Sequence, residues 1–171
     1  DTPLVSPQTL ARVCARLDEG ADVVVLGFEA QDPTGYGRLL TEGDRLLAIR
    51  EERDASEAER AVRFCNSGIM GFRGTRFAGI VQRIGNANAK GEYYLTDAVE
   101  IAAELGLSVV TERADEWEVQ GINTRVQLAR VEADYQRQAR IAAMEGGETL
   151  TAPETVHFSH DTRLGRDVGV E

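Results

Sequence analysis

The chain has 171 residues, of which 42% are hydrophobic and 28% are charged, and its formal net charge at pH 7 is −10. This composition is typical of a globular domain with a hydrophobic core. The excess of acidic residues argues against a nucleic-acid or anionic-membrane partner, because such surfaces need clustered Lys and Arg. No apolar run of about 18 residues predicts a membrane span, and no signal peptide is visible.

The first part of the chain alternates helix and strand. Ser6 and Pro7 are a typical N-cap and first helical residue, and Gly20 is a typical helix end. The apolar run within residues 22–28 predicts a buried strand. Cys14 and Cys65 lie in apolar-patterned segments, so we expect buried free thiols and a reducing, cytoplasmic compartment.

A hairpin and a further strand follow. Residues 38–41 and 45–50 flank a turn that contains Gly43, which predicts a β-hairpin. Residues 64–72 predict a strand that Gly68 and Gly71 interrupt. Together with the preceding helix and strand, this order indicates an α/β sheet that is mostly parallel with an antiparallel portion.

The second half is predicted to be mainly helical. Thr96 is expected to cap a short helix, and residues 107–112 to form a strand. The longest helix is predicted over residues 123–145, with Asn123 as its N-cap. The tail, residues 151–171, has no helical period and carries a small apolar residue at every second position after Gly165.

Several polar residues stand where packing alone does not require them. Each has an ordinary explanation, such as a turn, a solvated charge run or a helix cap, and a functional one, such as a ligand contact. Oxygen ligands from Asp1 and Asn123 would suit Mg²⁺, which takes few protein oxygens. The candidates are Asp1, Tyr36, Gly37, Glu51, Asn66, Tyr94, Thr96 and Asn123.

The order of these motifs resembles one protein family over the whole chain. The strings DTPL (1–4), DPTGYGR (32–38), IRE (49–51), NSGI (66–69), NAKGEYYLTD (88–97) and GINTRVQL (121–128) occur in sequence. They resemble the uridylyltransferase domain of the bifunctional N-acetylglucosamine-1-phosphate uridylyltransferase/glucosamine-1-phosphate acetyltransferases. The DPTGYGR and GEYYLTD strings together are highly specific for that family.

The resemblance implies roles for individual residues. Asp1 and Asn123 match metal ligands, and Asn123 also lies in the substrate site. Gly37, Glu51 and Asn66 match residues that hold the N-acetylglucosamine group. The resemblance further implies that Tyr36, Tyr94 and Thr96 form the neighbouring wall and the sugar-phosphate contacts.

The resemblance also implies a fold and a domain division. The expected fold is a Rossmann-like nucleotidyltransferase sheet that ends at the start of a left-handed β-helix. Residues 1–146 would be the C-terminal part of the nucleotidyltransferase domain, and residues 147–171 a linker and the first β-helix coil. The family's glycine-rich nucleotide loop, with its catalytic lysine and arginine, should precede Asp1, so we expect an internal fragment that is inactive by itself.

The implied activity is Mg²⁺-dependent uridylyl transfer from UTP to N-acetylglucosamine-1-phosphate, giving UDP-N-acetylglucosamine for peptidoglycan and lipopolysaccharide synthesis. The intact protein is expected to acetylate glucosamine-1-phosphate as well and to form a homotrimer, without nucleic-acid or membrane partners. Two alternatives stay open. One is another sugar-1-phosphate nucleotidyltransferase, and the other is a non-catalytic binding module on the same fold.

Overall fold

The computed structural model describes residues 2–87 and 91–171. Within them the chain forms two compact units. The first unit is Val5–Val119, and the second is Gln120–Glu171 with the described residues of the N-terminal stretch. The predicted division between residues 146 and 147 falls inside the second unit and stays a prediction.

The first unit contains both helices and strands, as the sequence predicts. The strands of the chain are β1 (Val23–Glu29), β2 (Arg38–Glu42), β3 (Arg45–Arg50), β4 (Phe64–Phe72), β5 (Val109–Arg113), β6 (Thr149–Leu150) and β7 (Gly169–Val170). The helices are α1 (Pro7–Asp18), α2 (Glu57–Arg60), α3 (Gly74–Val81), α4 (Ala98–Glu104) and α5 (Arg125–Gly146). The predicted starts of α1 and of the hairpin are confirmed, with Ser6 as N-cap and Gly43 at a φ of 59° in the turn.

Five strands of the first unit form a mixed sheet that closes in the order β1-β4-β2-β3-β5. The expectation of a mostly parallel sheet is wrong. Within the described residues, β1–β5 and β6–β7 are the parallel pairs, and the other pairs are antiparallel. The connection from β1 to β4 holds a hairpin and the short helix α2 rather than a long crossover helix, so β4 returns beside β1 in the opposite direction.

The central strand β1 is buried on both faces, which explains its continuous apolar sequence. Val23 and Val25 point into a cluster that α4 covers, whereas Val24 and Phe28 point into a second cluster that contains Val13 of α1. The expected burial of Cys14 on α1 is wrong, because that side chain is exposed. The helix therefore buries a narrower stripe than its sequence predicted.

In the second unit, the helix α5 is followed by a two-stranded parallel sheet. Thr149 pairs with Gly169, and Leu150 pairs with Val170. Gly147 ends α5 with a φ of 107°, the left-handed conformation that glycine adopts most easily. In the described residues, no helix is long and apolar enough to cross a membrane.

Gly27 of β1 provides a test of the packing. A Cβ atom there would overlap the Leu39 side chain and lie 2.6 Å from the ring of Phe64. We expect Gly27→Ala to lower the free energy of unfolding by about 1–3 kcal/mol through overpacking. Gly79→Ala is the control, since a Cβ in that part of α3 meets nothing within 4 Å and should stabilise the helix by about 0.5–1 kcal/mol. Urea unfolding measures both, and equal midpoints for the two variants would contradict this account.

Candidate functional site

Four of the predicted sugar-site residues form one connected group in the first unit. The backbone N–H of Asn66 donates to the carbonyl of Gly37 over 2.8 Å. A Cβ at Gly37 would lie 3.4 Å from Oε1 of Glu51. The hydroxyl of Thr96 donates to the same Oε1 over 3.1 Å. Residues that are 59 positions apart in sequence thus lie close together.

The β-hairpin explains why Gly37 and Glu51 meet. Arg38, the first residue of β2, pairs with Arg50, the last residue of β3. The residues immediately outside this pair are Gly37 and Glu51, so they must face each other at the open end of the hairpin. Asn66 joins them because the neighbouring residue Cys65 of β4 pairs with Arg38.

The sequence predicted that Thr96 caps a helix, and this prediction is wrong. It lies within a 3-10 helix over Leu95–Asp97, and the N-cap of α4 is Asp97, whose side chain makes no capping hydrogen bond. Because the Thr96 hydroxyl is directed at Glu51, the segment that enters α4 is fixed to the end of the hairpin.

Asn66 has both a structural and a ligand-binding capacity, the two alternatives that its sequence left open. Its Oδ1 accepts a hydrogen bond from the N–H of Gly68, which has a φ of 84°. The neighbouring Ser67 hydroxyl donates to the carbonyl of Leu26 over 2.7 Å. The amide NH₂ group of Asn66 makes no hydrogen bond in the described part of the chain, so it can donate to a ligand.

The two predicted tyrosines have different environments. Tyr36 packs edge-on against Phe28, with ring centroids 5.0 Å apart, and burial raises the pKa of its hydroxyl. Tyr94 lines a cavity of about 290 Å³ together with Gly35, Glu51, Glu52 and Arg53. The pKa of Tyr94 is raised, mainly by partial burial and to a smaller extent by nearby carboxylates. Its hydroxyl therefore stays protonated at neutral pH and can donate a hydrogen bond.

Gly35, Glu52 and Arg53 also line this cavity, although none of them was predicted as a site residue. The available signal was their position beside the motif residues, since Gly35 belongs to the same glycine-tyrosine-glycine string and Glu52 follows Glu51. A hydrogen bond from the guanidinium of Arg38 holds the pKa of Glu52 below its ordinary value. The cavity wall therefore carries the ionised carboxylate of Glu52 next to Gly37 and Glu51.

The predicted metal pair can be described only in part. Asp1 lies outside the described residues. Asn123 belongs to the second unit and is not the N-cap of α5, because Thr124 caps the helix and exchanges hydrogen bonds with Gln127. The exposed side-chain amide of Asn123 makes no hydrogen bond among the described residues, and its role as a Mg²⁺ ligand stays a prediction. In that same part of the chain, no group of three or more His, Cys, Asp or Glu residues could hold a metal ion.

Sequence comparison identifies the relatives of this chain. A protein of Xanthobacter autotrophicus is 65% identical over all 171 residues, and one of Azorhizobium caulinodans is 62% identical over the same length. Both are named bifunctional protein GlmU. The chain is homologous over its whole length to the bifunctional GlmU proteins. It spans 38% of the length of each of these two relatives, and no family model matches it.

Two solved structures have the same fold as this chain. A nucleoside-diphosphate-sugar pyrophosphorylase of Vibrio cholerae aligns over 65% of this chain and 46% of its own, with 15% identity and a TM-score of 0.51. A candidate glucose-1-phosphate thymidylyltransferase of Bacillus anthracis, crystallised with sucrose, aligns over 74% and 48%, with 19% identity and a TM-score of 0.56. The fold is therefore that of the sugar nucleotidyltransferases, with a mixed sheet.

The thiols provide a test of the burial around the cluster. Burial raises the pKa of Cys65 to about 11, whereas Cys14 is exposed. Because the thiolate is the reactive form, we expect iodoacetamide at pH 8 to modify Cys14 and to leave Cys65 unmodified until the chain unfolds. Peptide mass spectrometry measures both sites, and Cys14→Ser is the control that should remain unlabelled. Rapid labelling of Cys65 in the folded chain would contradict the described packing.

Proposed function

We propose that the protein to which this chain belongs transfers a uridylyl group from UTP to N-acetylglucosamine-1-phosphate. The products are UDP-N-acetylglucosamine, a precursor of peptidoglycan and lipopolysaccharide, and pyrophosphate. The observation that carries the proposal is the convergence of Gly37, Glu51, Asn66 and Thr96, which separate motifs supply, in one connected cluster. The identity of 65% to a bifunctional GlmU protein over the whole chain supports the same activity.

The cluster has the hydrogen-bonding capacity that an N-acetylated sugar needs. One oxygen of Glu51 accepts from Thr96, and the other makes no hydrogen bond among the described residues, so it can accept from sugar hydroxyls. The Asn66 amide can donate to the acetyl carbonyl. Residue 37 has little room for a side chain, because a Cβ there would lie 3.0 Å from Ile49 and 3.4 Å from Glu51. A sugar without the acetyl group would leave these polar groups unpaired, which is costly.

The proposed reaction needs no general base from the protein. An oxygen of the sugar phosphate, already anionic at neutral pH, attacks the α-phosphorus of UTP. The bond from this phosphorus to the bridging oxygen breaks, and pyrophosphate leaves with the electron pair. A bound Mg²⁺ would neutralise phosphate charge, and Asn123 is the described residue that would hold it, with Asp1 as the proposed second ligand. The chain's own contribution is to position the sugar phosphate for attack.

The remaining expectations concern the longer protein. We propose that it is cytoplasmic, that it also acetylates glucosamine-1-phosphate, and that it assembles as a homotrimer through a left-handed β-helix beginning near Leu164. The parallel pairing of Thr149–Leu150 with Gly169–Val170 supports the β-helix, since a coil of that fold stacks parallel strands.

Sugar selection tests the proposal in a chimera in which these 171 residues replace the aligned segment of the Xanthobacter autotrophicus relative. We expect this chimera to form UDP-N-acetylglucosamine. Glu51→Gln removes a charge-assisted acceptor worth about 1.5–3 kcal/mol, so kcat/KM for N-acetylglucosamine-1-phosphate should fall about 10- to 100-fold. Glu57→Gln, on the exposed helix α2, is the matched control and should leave this kcat/KM unchanged.

Competition between N-acetylglucosamine-1-phosphate and glucose-1-phosphate separates the proposal from its rivals. A chimera that prefers glucose-1-phosphate would indicate another sugar-1-phosphate nucleotidyltransferase. A chimera that binds neither UDP-N-acetylglucosamine nor Mg²⁺, while its parent binds both, would indicate a non-catalytic module. Either outcome contradicts the proposed function.

Asn123 is tested through the metal dependence of turnover. In the chimera, Asn123→Ala removes an oxygen ligand, so we expect it to abolish most of the Mg²⁺-dependent activity. Asn123→Asp keeps an oxygen at the same position and should retain measurable turnover with a changed Mg²⁺ requirement. A Mg²⁺ titration of the initial rate measures both variants. Full activity in Asn123→Ala would refute the metal role of this residue.

A further inference from the structure

A buried arginine contacts one of the residues that line the candidate sugar site. Arg38, the first residue of β2, is only 1% exposed. Its guanidinium donates to the carboxylate of Glu52 over 2.5 Å, to the carbonyl of Tyr36, and at a longer 3.4 Å to the carbonyl of Arg60. A charged side chain is rarely buried to this extent unless it is paired, so its position calls for an explanation.

Two of the three partners of Arg38, Tyr36 and Glu52, belong to the two stretches that form the site. Tyr36 immediately precedes Gly37, and Glu52 immediately follows Glu51. One planar guanidinium thus holds the loop before β2 and the chain after β3 at a fixed separation. The Glu52 side chain is 32% exposed and lines the cavity. Arg38 is therefore linked to the site through Glu52.

We propose that Arg38 is a positioning residue for sugar-phosphate binding: it does not touch the substrate but sets the spacing between Gly37 and Glu51. This inference rests on the proposed function. It predicts that losing the planar guanidinium group weakens sugar-phosphate binding, even when the positive charge is retained. UTP binding should be unaffected, because none of the partners of Arg38 belongs to the nucleotide-binding loop expected from the family.

Two variants distinguish positioning from a simple contribution to stability. Arg38→Lys keeps the positive charge but cannot bond the carbonyl and the carboxylate in one plane. The double variant Arg38→Met with Glu52→Gln removes both charges, and replacing a buried ion pair in this way is often neutral for stability. The double variant should therefore recover the melting temperature that Glu52→Gln alone loses, because that single variant leaves a buried cation unpaired.

Steady-state kinetics in the same chimera test the inference. We expect both Arg38→Lys and the double variant to raise the KM for N-acetylglucosamine-1-phosphate about tenfold, with the KM for UTP within about twofold of the parent chimera. The control removes the ion pair Arg16–Glu19 at the C-terminal end of α1 by changing both residues to Ala, and it should alter neither KM. If the double variant regains both the native melting temperature and the native sugar-phosphate KM, Arg38 is structural only and the inference is overturned.

Amide hydrogen exchange tests the geometry without any turnover. The N–H of Asn66 donates to the carbonyl of Gly37, so its exchange reports on the position of the loop. We expect Arg38→Lys to accelerate exchange at Asn66 at least tenfold, with unchanged exchange at Val24 in β1. Unchanged exchange at Asn66 would overturn the inference even in an active chimera. If the parent chimera is inactive but Arg38→Lys still accelerates exchange at Asn66, the proposed function is overturned instead.

Discussion

The register of the β2–β3 hairpin is the constraint on which the site depends. Because Arg38 pairs with Arg50, Gly37 and Glu51 are the next residues outward on the two strands. A slip of one residue would turn Glu51 toward the opposite face of the sheet. The Gly43 turn and the burial of Leu39, Leu46 and Ile49 in a common core oppose such a slip, so ordinary hydrophobic packing fixes the relative positions of polar residues.

The local features of the fold could be predicted from the sequence, whereas the pairing of distant strands could not. Ser6 before Pro7, and Gly43 between two apolar strands, are signals whose physical cause lies within a few residues. The direction of β4 depends instead on whether the preceding connection packs as a crossover helix. Residues 51–63 contain helix-forming residues, yet only Glu57–Arg60 become helical, and β4 pairs antiparallel to β1.

The site shows the same division. The motif strings identified Gly37, Glu51, Asn66 and Thr96, but the reason first given for Thr96, helix capping, was wrong. Threonine and asparagine serve equally well as caps, as hydrogen-bond donors to side chains and as ligand contacts, so a sequence alone does not choose between these roles. At the start of α5 the same ambiguity concerned adjacent residues, and Thr124 rather than Asn123 became the cap.

The hydrogen bond from Thr96 to Glu51 has a consequence for how far this position can vary. Serine would keep the hydroxyl and hence the link between the entry to α4 and the hairpin. Valine has nearly the same shape but no donor, so it would leave a carboxylate oxygen without its protein partner. Shape alone is therefore a poor guide to tolerated substitutions here, and a hydroxyl at residue 96 is a more informative mark of an intact sugar site than the size of the side chain.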